Sequence, residues 1–233
     1  MNKLFAQSVW PRLFVILFTS TIFMTPCRAE DFSDSLLAYA VNIHRTPVQP
    51  WPGYGIYLGR GLFLTAAHVV GRAWMTRPKV VVAGQEYPTR VVKEGSLEGT
   101  DLTLLAVNEN LLPSRLSLRR STLCRQAPVP GQRVVTVVPG KVAHSQILSP
   151  ERLPIEARRY STVIADVART GDSGSGVFDT NHRCLLGIIS RKISKSLGGP
   201  YSGRAKTQDI AKYFVPAAEI ATFLPAGILN EGQ

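Results

Sequence analysis

The chain has 233 residues, is 45% hydrophobic and 18% charged, and carries a formal net charge of +11. That balance is typical of a folded globular protein. Its lysines and arginines are scattered, with no arginine-rich block and no interleaved aromatic run for base stacking. The charge is therefore a surface property suited to anionic envelopes, and no nucleic-acid partner is expected.

Residues 1–29 have the layout of a secretory signal. Lys3 and Arg12 lead into the apolar run Leu13 to Met24, and Thr25-Pro26-Cys27-Arg28-Ala29 places small residues before a cut after Ala29. The 12-residue run is well short of the roughly 20 residues a spanning helix needs, so no stable membrane anchor is expected after cleavage. Lipid modification of Cys27 is disfavoured by Thr25 and Pro26 before it. Cleavage removes three of the 27 basic residues and none of the 16 acids, leaving a basic mature chain.

Residues 31–40 have a short helical pattern, and Tyr39 to His44 reads as a first strand. A proline-rich turn follows, then two apolar runs joined at Gly59-Arg60-Gly61, the pattern of a hairpin within Ile56 to Leu64. Further strands are predicted at Lys79–Val82, Glu86–Lys93 and Leu102–Val107. The polar, basic, proline-containing stretch Leu111 to Pro130 reads as a crossing between two halves. A second series follows at Arg133–Val138, Lys141–Leu148, Tyr160–Val167, Val177–Asp179 and Leu185–Ile193. Ser194 to Thr207 reads as a surface loop, and Pro216 to Leu224 as a closing helix with proline at its start. Many short strands with little helix argue for an all-β barrel or sandwich, divided into two similar halves.

Once Cys27 is removed, Cys124 and Cys184 remain. In an oxidising compartment an even pair reads as a disulfide, the alternative being two buried thiols. The four histidines lie far apart with no paired cysteines beside them, so neither a metal site nor a cofactor is expected.

Three short segments carry the chemistry. Gly171-Asp172-Ser173-Gly174-Ser175-Gly176 flanks a serine with glycines that allow a sharp turn and leave room for a substrate carbonyl. Such a turn can aim the N–H groups of Gly171 and Ser173 at one oxyanion. His68 follows an apolar strand and two alanines, which leave space for its imidazole. Histidine is the side chain that can take a serine's proton and return it near neutral pH. Asp101 opens the apolar run Leu102 to Val107. There a carboxylate needs a hydrogen-bonding partner, and an imidazole N–H would serve. Its rivals Glu94 and Glu98 lie in a polar loop and are expected to be hydrated.

Thr65-Ala66-Ala67-His68, Asp101-Leu102-Thr103-Leu104-Leu105 and Gly171-Asp172-Ser173-Gly174, in the order His, Asp, Ser, resemble the trypsin-like, chymotrypsin-fold serine proteases. The resemblance spans most of residues 39–224. The spacings of 33 and 72 residues are similar to those of compact bacterial members, such as the high-temperature-requirement proteases without their C-terminal peptide-binding domains.

The resemblance implies an all-β fold of two six-stranded antiparallel β-barrels packed face to face, with a C-terminal helix. Residues 30–115 would form the first barrel, 116–130 the linker and 131–233 the second. It also implies that Ser173 attacks a carbonyl while His68 removes its proton and Asp101 orients His68. The oxyanion would be held by the N–H groups of Gly171 and Ser173. The expected partners are protein or peptide substrates, and the expected location is the periplasm or outside the cell.

Three departures qualify the resemblance. No Ile-Val-Gly-Gly type of amino terminus precedes His68, so Asp172 is left without an assigned partner. The floor of the primary specificity pocket falls on Val167, which argues against a requirement for Arg or Lys, although a slip of one position would put Asp166 there. Gly187 to Ser190 resembles the strand that pairs with the substrate backbone, but Arg191 stands where an aromatic residue is usual, making Ser190 and Arg191 expected substrate contacts. Arg169, Arg191 and Lys192 could favour acidic substrates from the rim of the cleft, or simply point into water, the preferred reading. A catalytically silent protein that binds partners through the same cleft is the alternative to a protease.

Overall fold

A computed structural model describes residues 35–44, 53–165, 172–196 and 207–228. The leader 1–29 lies outside them, as do Asp166, Val167, Arg169 and Gly171.

The first half is a seven-stranded antiparallel sheet. Its strands are β1 (Ala40–Ile43), β2 (Gly53–Gly59), β3 (Leu62–Thr65), β4 (Lys79–Val82), β5 (Gln85–Pro88), β6 (Arg90–Glu94) and β7 (Thr103–Ala106). They lie in the order β5-β4-β1-β2-β3-β7-β6. The second half is a six-stranded sheet of β8 (Arg133–Val138), β9 (Lys141–Gln146), β10 (Val163–Ile164), β11 (Gly176–Asp179), β12 (Leu185–Ser196) and β13 (Thr207–Pro216). Its order is β10-β13-β12-β11-β8-β9. This is the chymotrypsin-like arrangement, closed by the helix Ala217–Phe223, which starts directly after Pro216 as expected.

Strand alternation divides the apolar residues between cores. Tyr57, Phe63 and Leu105 turn into the first half's own core, where the rings of Tyr57 and Phe63 lie 4.9 Å apart. Their neighbours Ile56, Leu64 and Leu104 face the other way and meet Val135, Phe178, Ile188 and Val215 of the second sheet. Ile220 and Phe223 of the closing helix join this shared core, which fixes the two halves face to face. Val134, Val177, Ile189 and Phe214 fill the second half's own core.

The structure departs from the sequence reading at four places. The run expected as one strand over Glu86–Lys93 is two, β5 paired with β4 and β6 paired with β7, which gives the first sheet seven strands instead of six. Pro88 has no N–H to extend the ladder, and Thr89 Oγ1 turns to donate to the Pro78 carbonyl at 2.6 Å. Thr207–Pro216 forms β13, which was not expected, and pairs with β12 as far as Ser196, so Ser194–Ser196 are strand and not loop. Of Tyr160–Val167, only Val163–Ile164 is strand among the described residues. Within the described part of 31–40, Ser35 and Leu36 are helical as expected, but Leu37–Tyr39 is a 3-10 turn and the first strand starts at Ala40, not at Tyr39.

Cys124 and Cys184 form a disulfide, with Cα atoms 5.0 Å apart. The Cys124 N–H also donates to the Leu185 carbonyl at 3.0 Å, so the segment between the halves is stitched to the start of β12 by backbone and sulfur together.

Candidate active site

Apolar β3 ends at Thr65, buried Ala66 and Ala67 follow, and His68 lies in the one-turn helix Ala67–Val70 at the edge of the cleft. The two small side chains leave the imidazole one-quarter exposed (24%) beside a carboxylate that is 2% exposed. That carboxylate is Asp101, held just before β7 where the preceding loop enters the sheet. Asp101 Oδ2 lies 2.8 Å from His68 Nδ1, and Asp101 Oδ1 accepts from the His68 backbone N–H at 3.0 Å. Ser190, on β12 of the other half, donates its hydroxyl to Oδ2 at 2.5 Å. Glu94 and Glu98 are exposed, as expected.

Burial pushes the Asp101 carboxyl up. The imidazole hydrogen bond and charge of His68, the Ser190 hydroxyl and the His68 amide outweigh it and hold the group below the ordinary carboxylate range. Asp101 therefore stays ionised although it is buried. An imidazole bonded to it through Nδ1 carries that proton inward and leaves Nε2 able to accept one.

Ser173 lies in a turn that enters β11. The Gly174 N–H donates to the Ile189 carbonyl at 2.8 Å, and the Ser173 carbonyl accepts from the Tyr54 N–H of the first half at 3.0 Å. Gly174 has φ +87°, and a Cβ there would collide with the Tyr54 carbonyl, so both conformation and space require glycine. The Ser173 hydroxyl donates to the Ser190 carbonyl at 3.4 Å, and among the described residues it makes no hydrogen bond to His68. Catalytic hydrogen bonds are often loose without substrate, and a serine hydroxyl is redirected by a change of rotamer.

The expected site residues therefore fall into three groups. His68, Asp101, Ser173 and Ser190 are linked by hydrogen bonds, Ser190 joining Asp101 through its hydroxyl and Ser173 through its carbonyl. Gly171 and Val167 lie outside the described residues. Arg191 runs sideways: its Nη2 donates to the Leu97 carbonyl at 2.9 Å, and its guanidinium stands 5.8 Å from the centre of the Tyr160 ring. Lys192 is paired with Asp209 at 2.6 Å.

Two contacts were missed from the sequence. Ser190 was expected to meet substrate, not to hydrogen-bond Asp101. Asp172, left without a partner, forms an ion pair with the buried Lys212 of β13. A lone lysine inside the apolar run Ile210 to Val215 was the available signal for that pair.

The chymotrypsin-like arrangement, with a His–Asp pair and a glycine-flanked serine both bonded to Ser190 or its neighbours, points to the class of serine peptidases. Residues 53–188 match the trypsin-like peptidase domain, more than half of the chain, and the chain belongs to that family as a serine endopeptidase. No curated protein matches the sequence significantly. Several solved structures share the fold. The active form of the Rv3671c protease from M. tuberculosis is 19% identical with a TM-score of 0.58, covering 84% of this chain and 83% of that one. The serine endoprotease from Yersinia pestis is 17% identical with a TM-score of 0.57, covering 82% and 63%. The HtrA-type protease AlgW, solved with a tripeptide, is 19% identical with a TM-score of 0.57, covering 87% and 64%.

Proposed function

We propose that the protein is an exported endopeptidase that cleaves peptide bonds through a His68–Asp101–Ser173 triad and an acyl-enzyme. Substrate binds along β12, and Ser173 Oγ attacks the scissile carbonyl while its proton passes to His68 Nε2. Asp101, kept ionised, stabilises the imidazolium, and the N–H groups of Ser173 and Gly171 receive the developing oxyanion. His68 then returns the proton to the leaving amine, and water repeats the sequence to release the acid. The observation that carries this reading is the buried Asp101 carboxylate bonded to both Nδ1 and the backbone N–H of His68.

Export is supported by the leader pattern of residues 1–29 and by the Cys124–Cys184 disulfide, which suits an oxidising compartment such as the periplasm or the exterior. For specificity, Val167 at the pocket floor predicts no need for Arg or Lys in the substrate. The engagement of Lys192 by Asp209 and of Arg191 by Leu97 supports the absence of a strong preference for acidic residues.

Covalent labelling tests the mechanism. A fluorophosphonate is expected to tag protein recovered from the export host, with a mass that begins at Glu30, and to leave Ser173→Ala untagged. An unlabelled wild type of native fold would instead favour a silent protein that binds through its cleft.

A further inference from the structure

Lys212 is the only lysine or arginine that is fully buried among the described residues, with its side chain 1% exposed. It sits on β13, opposite Lys192 of β12 on one side and Ile164 of β10 on the other, so it belongs to an interior strand with both edges paired. Ala211, Phe214 and Val215 around it are also buried. An ammonium in such a place is retained only when a carboxylate compensates its lost hydration. Asp209, the acid three residues earlier on the same strand, is taken by Lys192 Nζ at 2.6 Å and Ser194 Oγ at 2.7 Å. Lys212 Nζ bonds Asp172 Oδ2, one residue before Ser173.

The peptide group between Asp172 and Ser173 carries the Asp172 carbonyl on one edge and the Ser173 N–H on the other. In a planar unit, fixing the carbonyl also fixes the N–H. Ser175 grips that carbonyl twice, through its hydroxyl at 2.5 Å and its backbone N–H at 3.1 Å. Lys212 grips the Asp172 side chain from the interior. The peptide is thus held from both the main chain and the side chain.

We propose that Lys212 is a positioning residue for catalysis: by holding Asp172 it fixes the Asp172–Ser173 peptide, and with it the direction of the Ser173 N–H and the seat of the Ser173 hydroxyl. The inference rests on Ser173 being the nucleophile.

The test compares Lys212→Met, the charge-free double variant Lys212→Met/Asp172→Asn and Lys212→Gln, following fluorophosphonate inactivation to separate kinact from KI. The double variant removes the charges of both partners together and is expected to melt within about 5 °C of wild type. Its kinact is expected to fall about 100-fold, the scale of a misplaced oxyanion donor, while KI changes less than about threefold. Lys212→Gln, whose amide still donates to Asp172, is expected to react about tenfold faster than Lys212→Met. A folded double variant with wild-type kinact overturns the inference, as do equal rates for the Gln and Met variants. Labelling that survives Ser173→Ala would instead overturn the nucleophile assignment, so the two failures are told apart.

Discussion

On the first half's side of the cleft, Asp101 is gripped by two donors from His68 and one from Ser190. On the second half's side, the Ser173 turn hangs from backbone bonds to Tyr54 and Ile189 and from the buried Lys212–Asp172 pair. The base side is a side-chain network around one carboxylate, so its donors can be removed one at a time. The side proposed to supply the nucleophile is a turn whose backbone admits only glycine at its tightest point, Gly174. Losses on the first side are therefore expected to follow which partner of Asp101 is removed, and on the second whether the turn can keep its place.

The largest expected effect that sharpens this contrast is Asp101→Asn. It keeps the shape but presents an amide to Nδ1, which favours the tautomer that cannot accept the serine's proton. The expected loss in kcat is about 10⁴-fold with the fold intact, measured on a peptide ester alongside thermal melting. A loss below about tenfold would show that His68 does not depend on this carboxylate.

Gly174→Ala probes the other side. A Cβ there meets the Tyr54 carbonyl at a left-handed backbone, so the turn must shift away from the first half. The expected result is a loss of about 2 kcal/mol in stability together with about a 100-fold fall in fluorophosphonate labelling. Urea unfolding reads the first and labelling rates the second. Wild-type labelling in the variant would mean that the seat of Ser173 tolerates displacement.

The same contrast governs what the sequence disclosed. His68 and Asp101 stand at the ends of apolar runs, where a polar residue is visible against its background, and the alternation in Ile56 to Leu64 and Leu102 to Val107 maps directly onto the two cores. The Ser190–Asp101 bond joins residues 89 apart in sequence, and no local pattern records such a contact. Lys212 left a partial trace: a single charge inside the apolar run Ile210 to Val215 marks a lysine that needs a partner, but nothing local names Asp172, 40 residues earlier. The split at Pro88 was missed although its signal was present, since a proline cannot donate to the middle of a ladder.

The finest test of the base side is Ser190→Ala, which removes one donor and leaves two. The lost charge-assisted hydrogen bond, about 1.5 kcal/mol, corresponds to about a tenfold fall in kcat. Its sharper signature is in pH. Asp101 has its folded pKa held below the ordinary carboxylate value, so its stabilising charge is fully present above that ordinary value. The charge is lost only as pH falls through the lowered one. Ser190 is one of the groups that lower it, so removing the hydroxyl lets burial push the carboxyl back up, and Asp101 takes its proton at a higher pH than in wild type. Acid unfolding should then begin at higher pH in Ser190→Ala, followed by near-ultraviolet circular dichroism, while the neutral-pH fold is unchanged. An acid midpoint that stays put or moves down would show that the Ser190 hydroxyl does not stabilise the ionised form of Asp101.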